Sequence, residues 1–215
     1  IYYERSKPGT SSIKFDGTGD YLTLPDSSDW QLGGGTGDWT WEAWIYPQNT
    51  TDEERWTGQW EDDNNRWSIE LYLGKMNFYM KSGGSEVGTV VQDSATVTQD
   101  TWQHVAIVRS GSTAYFFLDG VSQAVTQSVA FGTMVDASSV LSIGRYKTSL
   151  TTQDFTGYMD EIRLSDSARY TATFTTFGQD GGTIASPTPF TADANTKLLI
   201  HSDFNGGLGA DSSGN

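Results

Sequence analysis

The chain has 215 residues, no cysteine, and a formal net charge of -14 from 13 basic and 27 acidic side chains. That length suits one large all-β domain, the charge repels the phosphates of nucleic acids and anionic lipids, and the missing cysteines exclude disulfides and thiolate metal sites. No apolar run is long enough to span a bilayer, and Ile1 is not followed by the pattern of a secretory signal.

Twenty-four glycines and 28 aromatic residues (8 Trp, 10 Tyr, 10 Phe) describe short strands separated by turns. Residues 12–16 and 21–24 are predicted strands around the turn Gly17-Thr18-Gly19. Residues 38–46 alternate Trp39, Trp41, Ala43 and Ile45 against Thr40, Glu42, Trp44 and Tyr46, and Pro47 closes them. Residues 67–73 and 75–80 read as a hairpin about Gly74, and 101–109 and 113–118 as another about Gly111. Strands at 140–143 and 156–164 complete the main set. An irregular connector or loop excursion follows over 165–195, with Gly181-Gly182, Pro187 and Pro189. Residues 197–201 form a last apolar strand, and 205–215 are a Gly, Ser, Asp and Asn tail expected to be mobile. The expected division is therefore a sandwich over 1–164, the excursion 165–195, and a terminal strand with a tail over 196–215. Strands at short intervals without helices predict an all-β, two-sheet antiparallel β-sandwich.

Six phrases in order resemble the laminin G-like family of the concanavalin A-like superfamily. They are Ser12-Ile13-Lys14-Phe15-Asp16-Gly17-Thr18-Gly19-Asp20-Tyr21-Leu22, Glu42-Ala43-Trp44, Trp102-Gln103-His104-Val105-Ala106, Asp119-Gly120, Ile143-Gly144 and Gly157-Tyr158-Met159-Asp160-Glu161-Ile162-Arg163. The resemblance implies a jelly roll; it leaves function open, because this fold hosts lectins, adhesion modules, toxin domains and glycoside hydrolases. One departure stands out. Phrases that open the unit in that family, Leu198-Leu199-Ile200-His201-Ser202-Asp203-Phe204 and Asp211-Ser212-Ser213-Gly214-Asn215, come last here. Three arrangements fit: a window on a tandem array, donation of Lys197, Leu198, Leu199, Ile200 and His201 to the next subunit as an assembly strand, or closure of the chain's own sheet. The connector also resembles those of repetitive marine phage structural proteins.

Catalytic signals are missing from the sequence. The hydrolases of this fold carry E-x-D-x-E or E-x-D-x-x-E strands, and no such motif occurs. Glu42 and Glu70 are isolated strand acids, and Glu53-Glu54 and Glu61-Asp62-Asp63 read as loop residues. His104 and His201 lie in strand-like segments without a nucleophile motif, so a structural role is expected of both. Calcium is the metal the resemblance implies, as a structural ion held by Asp160 with Asp16 or the carbonyl of Gly17. For sugar binding, an exposed aromatic ring beside planar polar groups is required. Residues 56–67 carry that mixture in one expected loop, with Trp56, Trp60, Asp62, Asp63, Asn64 and Arg66 as candidates, while Trp39, Trp41 and Trp102 are assigned to the core. Asn49-Thr50-Thr51 is a glycosylation sequon.

The expected function is a non-catalytic adhesion or carbohydrate-binding module, outside the cell on a bacterial surface or virion. Its expected partners are a glycan or cell-surface polysaccharide and copies of itself, presented so that weak sites add. The alternatives are a purely structural subunit of a filament and an accessory module of a secreted carbohydrate-active enzyme.

Overall fold

The computed structural model describes residues 9, 11–147, 149, 152–176, 189–202 and 210–211. In chain order the strands are β1 (Ile13–Asp16), β2 (Leu22–Leu24), β3 (Trp39–Pro47), β4 (Glu54–Trp60), β5 (Arg66–Tyr72), β6 (Lys75–Ser82), β7 (Ser85–Gln92) and β8 (Gln103–Ser110). They continue as β9 (Thr113–Leu118), β10 (Val121–Gln123), β11 (Val125–Val129), β12 (Leu141–Ile143), β13 (Thr156–Ser165), β14 (Thr196–His201) and β15 (Ala210–Asp211). One sheet runs β10-β9-β8-β3-β13-β14-β15, with β1 also on β13; the other runs β11-β7-β6-β5-β4-β12-β2. The strand pairings within both sheets are antiparallel.

The alternation in the sequence decides the layers. Trp39, Trp41, Ala43 and Ile45 of β3 point between the sheets, together with Val105 and Ile107, Trp67, Ile69 and Leu71, and Met76, Phe78 and Met80. Along β3, β5, β6 and β8 every second side chain enters this core, as the two-residue period requires. The odd step is in β13, where Met159 and Ile162 both reach the core. The register against β3 shifts between Asp160 and Arg163, and Glu161 takes a left-handed φ of 51°. A β-bulge absorbs the extra residue and turns the Glu161 carboxylate outward, where it accepts from the Phe190 amide at 2.5 Å.

Two expected features change. Residues 56–67 are not one loop: Trp56 and Trp60 lie on β4, Trp67 on β5, and only a tight turn at 61–65 separates these strands. Gly58 and the polar residues beside it hide the alternation of β4, and a register shift between Arg55 and Thr57 breaks it again. Glu54, expected in a loop, opens this strand and is buried. Trp102 is not in the core between the sheets; it packs half-buried against Trp44, Phe190 and Leu199 outside the eight-stranded sheet.

Of the three arrangements open to residues 197–201, this structure has the self-closing one. β14 pairs with the second half of β13, Ile162 opposite Ile200 and Leu164 opposite Leu198. β1 pairs with the first half, Ile13 opposite Met159 and Asp16 opposite Thr156. The two strands thus run end to end along one edge of β13, and the Ser11 hydroxyl donates to the Ser202 carbonyl where they meet. Leu198 and Ile200 enter the main core, while Lys197 pairs with Asp166 at 3.4 Å and Asp29 at 3.6 Å. Of the tail, only 210 and 211 are described, paired to β14; the other residues of 203–215, like Gly181-Gly182 and Pro187 in the excursion, lie outside the described residues.

Candidate functional site

The outer face of the seven-stranded sheet carries a groove of about 320 Å³. Its floor follows from the same alternation: where Trp67, Ile69, Phe78 and Val90 point inward, Arg66, Ser68, Glu70, Asn77, Tyr79 and Thr89 point outward. One wall is Tyr146, which follows β12. It lies close over the sheet because residue 58 is glycine: a β-carbon there would stand 2.6 Å from the Tyr146 Cβ and 2.5 Å from the Trp67 carbonyl oxygen.

Arg55 is at the centre. Its guanidinium sits 4.6 Å from the centroid of the Tyr146 ring, donates to Glu53 Oε1 at 2.5 Å and to Ser68 Oγ at 3.0 Å, and is paired with Glu70. Burial pushes this guanidinium down from its ordinary pKa and the charge of Glu53 pushes it back up; the net direction is down. Arg66 lies 5.6 Å from the Tyr79 ring centroid. Beside the groove Lys147 Nζ is 3.4 Å from the centroid of the half-buried Trp60 ring. Three buried polar atoms of the lining, Arg55 Nε, Asn77 Oδ1 and Thr89 Oγ1, have no hydrogen-bond partner among the described residues. Buried polar atoms are ordinarily satisfied, so these three leave hydrogen-bonding capacity unused beneath one concave surface.

The structure sorts the expected sugar-binding residues. Arg66 lines the groove and Trp60 flanks it. Trp56 does neither: it is fully buried and stacks on Trp41 at 5.9 Å, a core residue. Asp62 and Asp63 are exposed in the β4–β5 turn, and Asn64 lies in the same turn. There Asp62 accepts from the Asn64 and Asn65 amides at 2.7 and 2.9 Å, and Asp63 holds Arg66 through its carbonyl at 2.7 Å. Arg55, Ser68, Asn77, Tyr79, Thr89 and Tyr146 were not anticipated. The polar alternation Arg66-Ser68-Glu70 across Trp67-Ile69-Leu71 is the sequence signal that points to this face.

The residues expected to hold calcium do not fit the ion. Asp16 stands opposite Thr156, four residues along β13 from Asp160, which is about 13 Å at the rise of a strand. Asp160 is buried and accepts from the Glu161 amide at 2.9 Å, the Ser202 amide at 3.1 Å and the Ser202 hydroxyl, so it locks β14 to the bulge. Asp16 accepts from the Thr18 amide at 2.8 Å within its own turn, with Gly17 between them. Among the described residues no group of three or more His, Cys, Asp or Glu side chains is placed to hold a metal. Both histidines are held by carboxylates: His104 Nε2 lies 3.1 Å from Glu42 and His201 Nδ1 2.6 Å from Glu161.

A family model of laminin G type, described as the concanavalin A-like lectin/glucanases superfamily, matches residues 16–173. The chain belongs to this family. A search of curated proteins finds no match. Among solved structures, the laminin G-like chain is similar to a candidate carbohydrate binding protein from Bacteroides ovatus, with a TM-score of 0.59 and 16% identity over 94% of this chain and 57% of that one. It is similar to the Ruminococcus gnavus IT-sialidase CBM40 bound to alpha2,3 sialyllactose, with a TM-score of 0.58 and 12% identity over 75% and 92%. Domains LG4-5 of the mouse laminin alpha1 chain give 0.53 and 15% over 85% and 47%. These likenesses are of fold. The laminin G-like chain spans about half the length of the Bacteroides and laminin chains, and among its described residues no helix is long and apolar enough to cross a membrane.

Proposed function

We propose that the laminin G-like chain is a non-catalytic glycan-binding module, displayed outside the cell, whose binding site is the groove on the seven-stranded sheet. The observation that carries this reading is the combination in one concavity of aromatic rings, guanidinium groups and three unpartnered buried polar atoms. Tyr146 and Tyr79 offer faces for the C–H surface of a sugar, and Arg55, Arg66, Asn77 and Thr89 offer bonds to its hydroxyls. Hydrolysis needs one carboxyl kept protonated across the sugar from a second. Both groove carboxylates, Glu53 and Glu70, are instead tied to the Arg55 guanidinium, and Glu54, whose carboxyl burial pushes up to about 7, lies outside the lining. A shallow site of this kind binds weakly one at a time, and several copies on one surface add avidity.

Sialyllactose, held by the similar Ruminococcus module, is the first ligand to try, within an array that also carries neutral glycans. The wild-type chain retains at least one glycan class, and Tyr146→Ala combined with Arg66→Ala lowers that affinity about tenfold or more, roughly 1.4 kcal/mol, with the melting temperature nearly unchanged. Undiminished retention by the folded double mutant removes the groove as the site.

A further inference from the structure

A second cavity, of about 190 Å³, lies on the opposite side of the molecule, outside the eight-stranded sheet. His104 is at its centre. Trp44 and Phe190 meet this imidazole at centroid distances of 5.8 Å each, Phe174 at 5.9 Å and Tyr170 at 6.5 Å. Tyr170 and Phe174 stack on one another at 3.7 Å and form the half-buried wall, beside exposed Thr175, so the cavity reaches solvent there. Thr176 completes the lining.

Three side chains of this lining are more than nine-tenths buried and carry a polar atom with no hydrogen-bond partner among the described residues: Trp44 Nε1, His104 Nδ1 and Thr176 Oγ1. Their chemistry differs in a useful way. The indole N–H only donates. His104 turns Nε2 to the Glu42 carboxylate, so a neutral ring keeps its hydrogen on that side and leaves a lone pair at Nδ1. The Thr176 hydroxyl does either. A cavity of about 150 Å³ is enough to admit a benzene ring; this one opens to solvent beside Thr175, so it seats one ring against its aromatic walls with the ring's substituents directed to the opening. Waters filling it would face mostly aromatic carbon, with three polar atoms to share between them, and such poorly bonded water is readily displaced. Charge narrows the ligand further. The Glu42 carboxylate is taken by Arg163 at 2.6 Å and Tyr170 at 3.0 Å, and Arg169 by Asp193 at 2.8 Å, so these ionic groups neighbouring the cavity are mutually paired.

We propose that this cavity is a second binding site, separate from the groove, that takes one neutral sugar ring. The aromatic walls meet the C–H faces of the ring, the Trp44 N–H and His104 Nδ1 bond two of its hydroxyls, and Thr176 bonds a third. The reading stands or falls apart from that of the groove. The test follows the indole N–H resonance of Trp44 in ¹⁵N-labelled protein, assigned with Trp44→Phe, during titration into the millimolar range with D-glucose, D-galactose, N-acetyl-D-glucosamine and D-glucuronate. At least one neutral sugar shifts the Trp44 resonance saturably, and glucuronate does not. Thr176→Val weakens the response about tenfold, Thr176→Ser retains it, and the response persists in Tyr146→Ala, whose groove is broken. No shift with any neutral sugar, an equal shift with glucuronate, or loss of the shift in Tyr146→Ala overturns the proposal. Should Thr176→Val not fold, the contrast between neutral and acidic sugars in the wild-type chain decides.

Discussion

The two outer faces of the sandwich begin from the same alternation and the same residue types. On the eight-stranded sheet, Glu42 is fully buried and surrounded by cations and donors: Arg163 at 2.6 Å, Tyr170 at 3.0 Å, His104 at 3.1 Å and Arg169 at 3.9 Å. On the seven-stranded sheet the roles invert, with one guanidinium, Arg55, between the carboxylates of Glu53 and Glu70, and this face is left as a groove. What differs is the cover. Tyr170, Phe174 and Phe190, from the stretch expected to be a connector, fold back on the first face, fastened by the paired contacts of Arg169 with Asp193 at 2.8 and 2.9 Å. An ionic group under such a lid must be fully partnered, because desolvation is costly; Arg55, nearly as buried but bordering an uncovered groove, keeps an Nε without a partner among the described residues.

The sharpest way to break this comparison is Glu42→Gln. Burial drives the Glu42 carboxyl up, but the His104 hydrogen bond and the Arg163 charge outweigh it, so its pKa is lowered and the group is ionised at neutral pH. Removing that charge leaves buried Arg163 uncompensated and costs about 3–5 kcal/mol in urea unfolding. Glu70→Gln leaves Arg55 with Glu53 as its charged partner and costs less, about 1.5–3 kcal/mol for one charge-assisted hydrogen bond. Equal losses would show that the lid does not matter.

Trp56 and Trp60 repeat the contrast within one strand. Trp56→Ala opens a hole between the sheets and costs about 3–5 kcal/mol; Trp60→Ala, on the outer side under Lys147, costs under about 1 kcal/mol. A well-folded Trp56→Ala protein would place that side chain outside the core.

Glu54 gives a smaller effect than Glu42 or Trp56, and one that depends on pH. Burial raises its carboxyl from 4.5 to about 7, so between those values the folded chain holds a proton that the unfolded chain has released. Stability therefore falls as pH rises through that window, by at most about 3 kcal/mol at 1.36 kcal/mol per unit. Glu54→Gln flattens the profile, seen as melting temperatures at pH 5 and pH 8 that converge relative to wild type. An unchanged slope assigns the effect to other groups.

Much of the sandwich was legible because a period of two is a local property. Trp39, Trp41, Ala43 and Ile45 declare the inner face of β3 without help from any other strand. The groove was only partly legible. Arg66 and Trp60 are legible as polar and aromatic residues close together in sequence, but Trp56 carries the same local signal without sharing their surface. Four residues apart, the two tryptophans would share a face of a regular strand; the register shift between Arg55 and Thr57 makes Trp56 the extra residue, turns it into the core and leaves Trp60 outside. Thr89 and Tyr146 reach the groove from β7 and from beyond β12, and no spacing in the chain connects them to Arg55.

The amino-acid sequence alone determined the fold class, the inner faces of the longer strands and the absence of a hydrolase motif, since each depends on residues a few positions apart. Tertiary structure alone decided that β14 closes its own sheet beside β1, that residues 166–176 and 189–195 roof one face, and that the other face stays open. These depend on contacts between segments from some forty to nearly two hundred residues apart, where the free energy of burying apolar surface, and not the local pattern, selects which strand edge and which sheet face is covered.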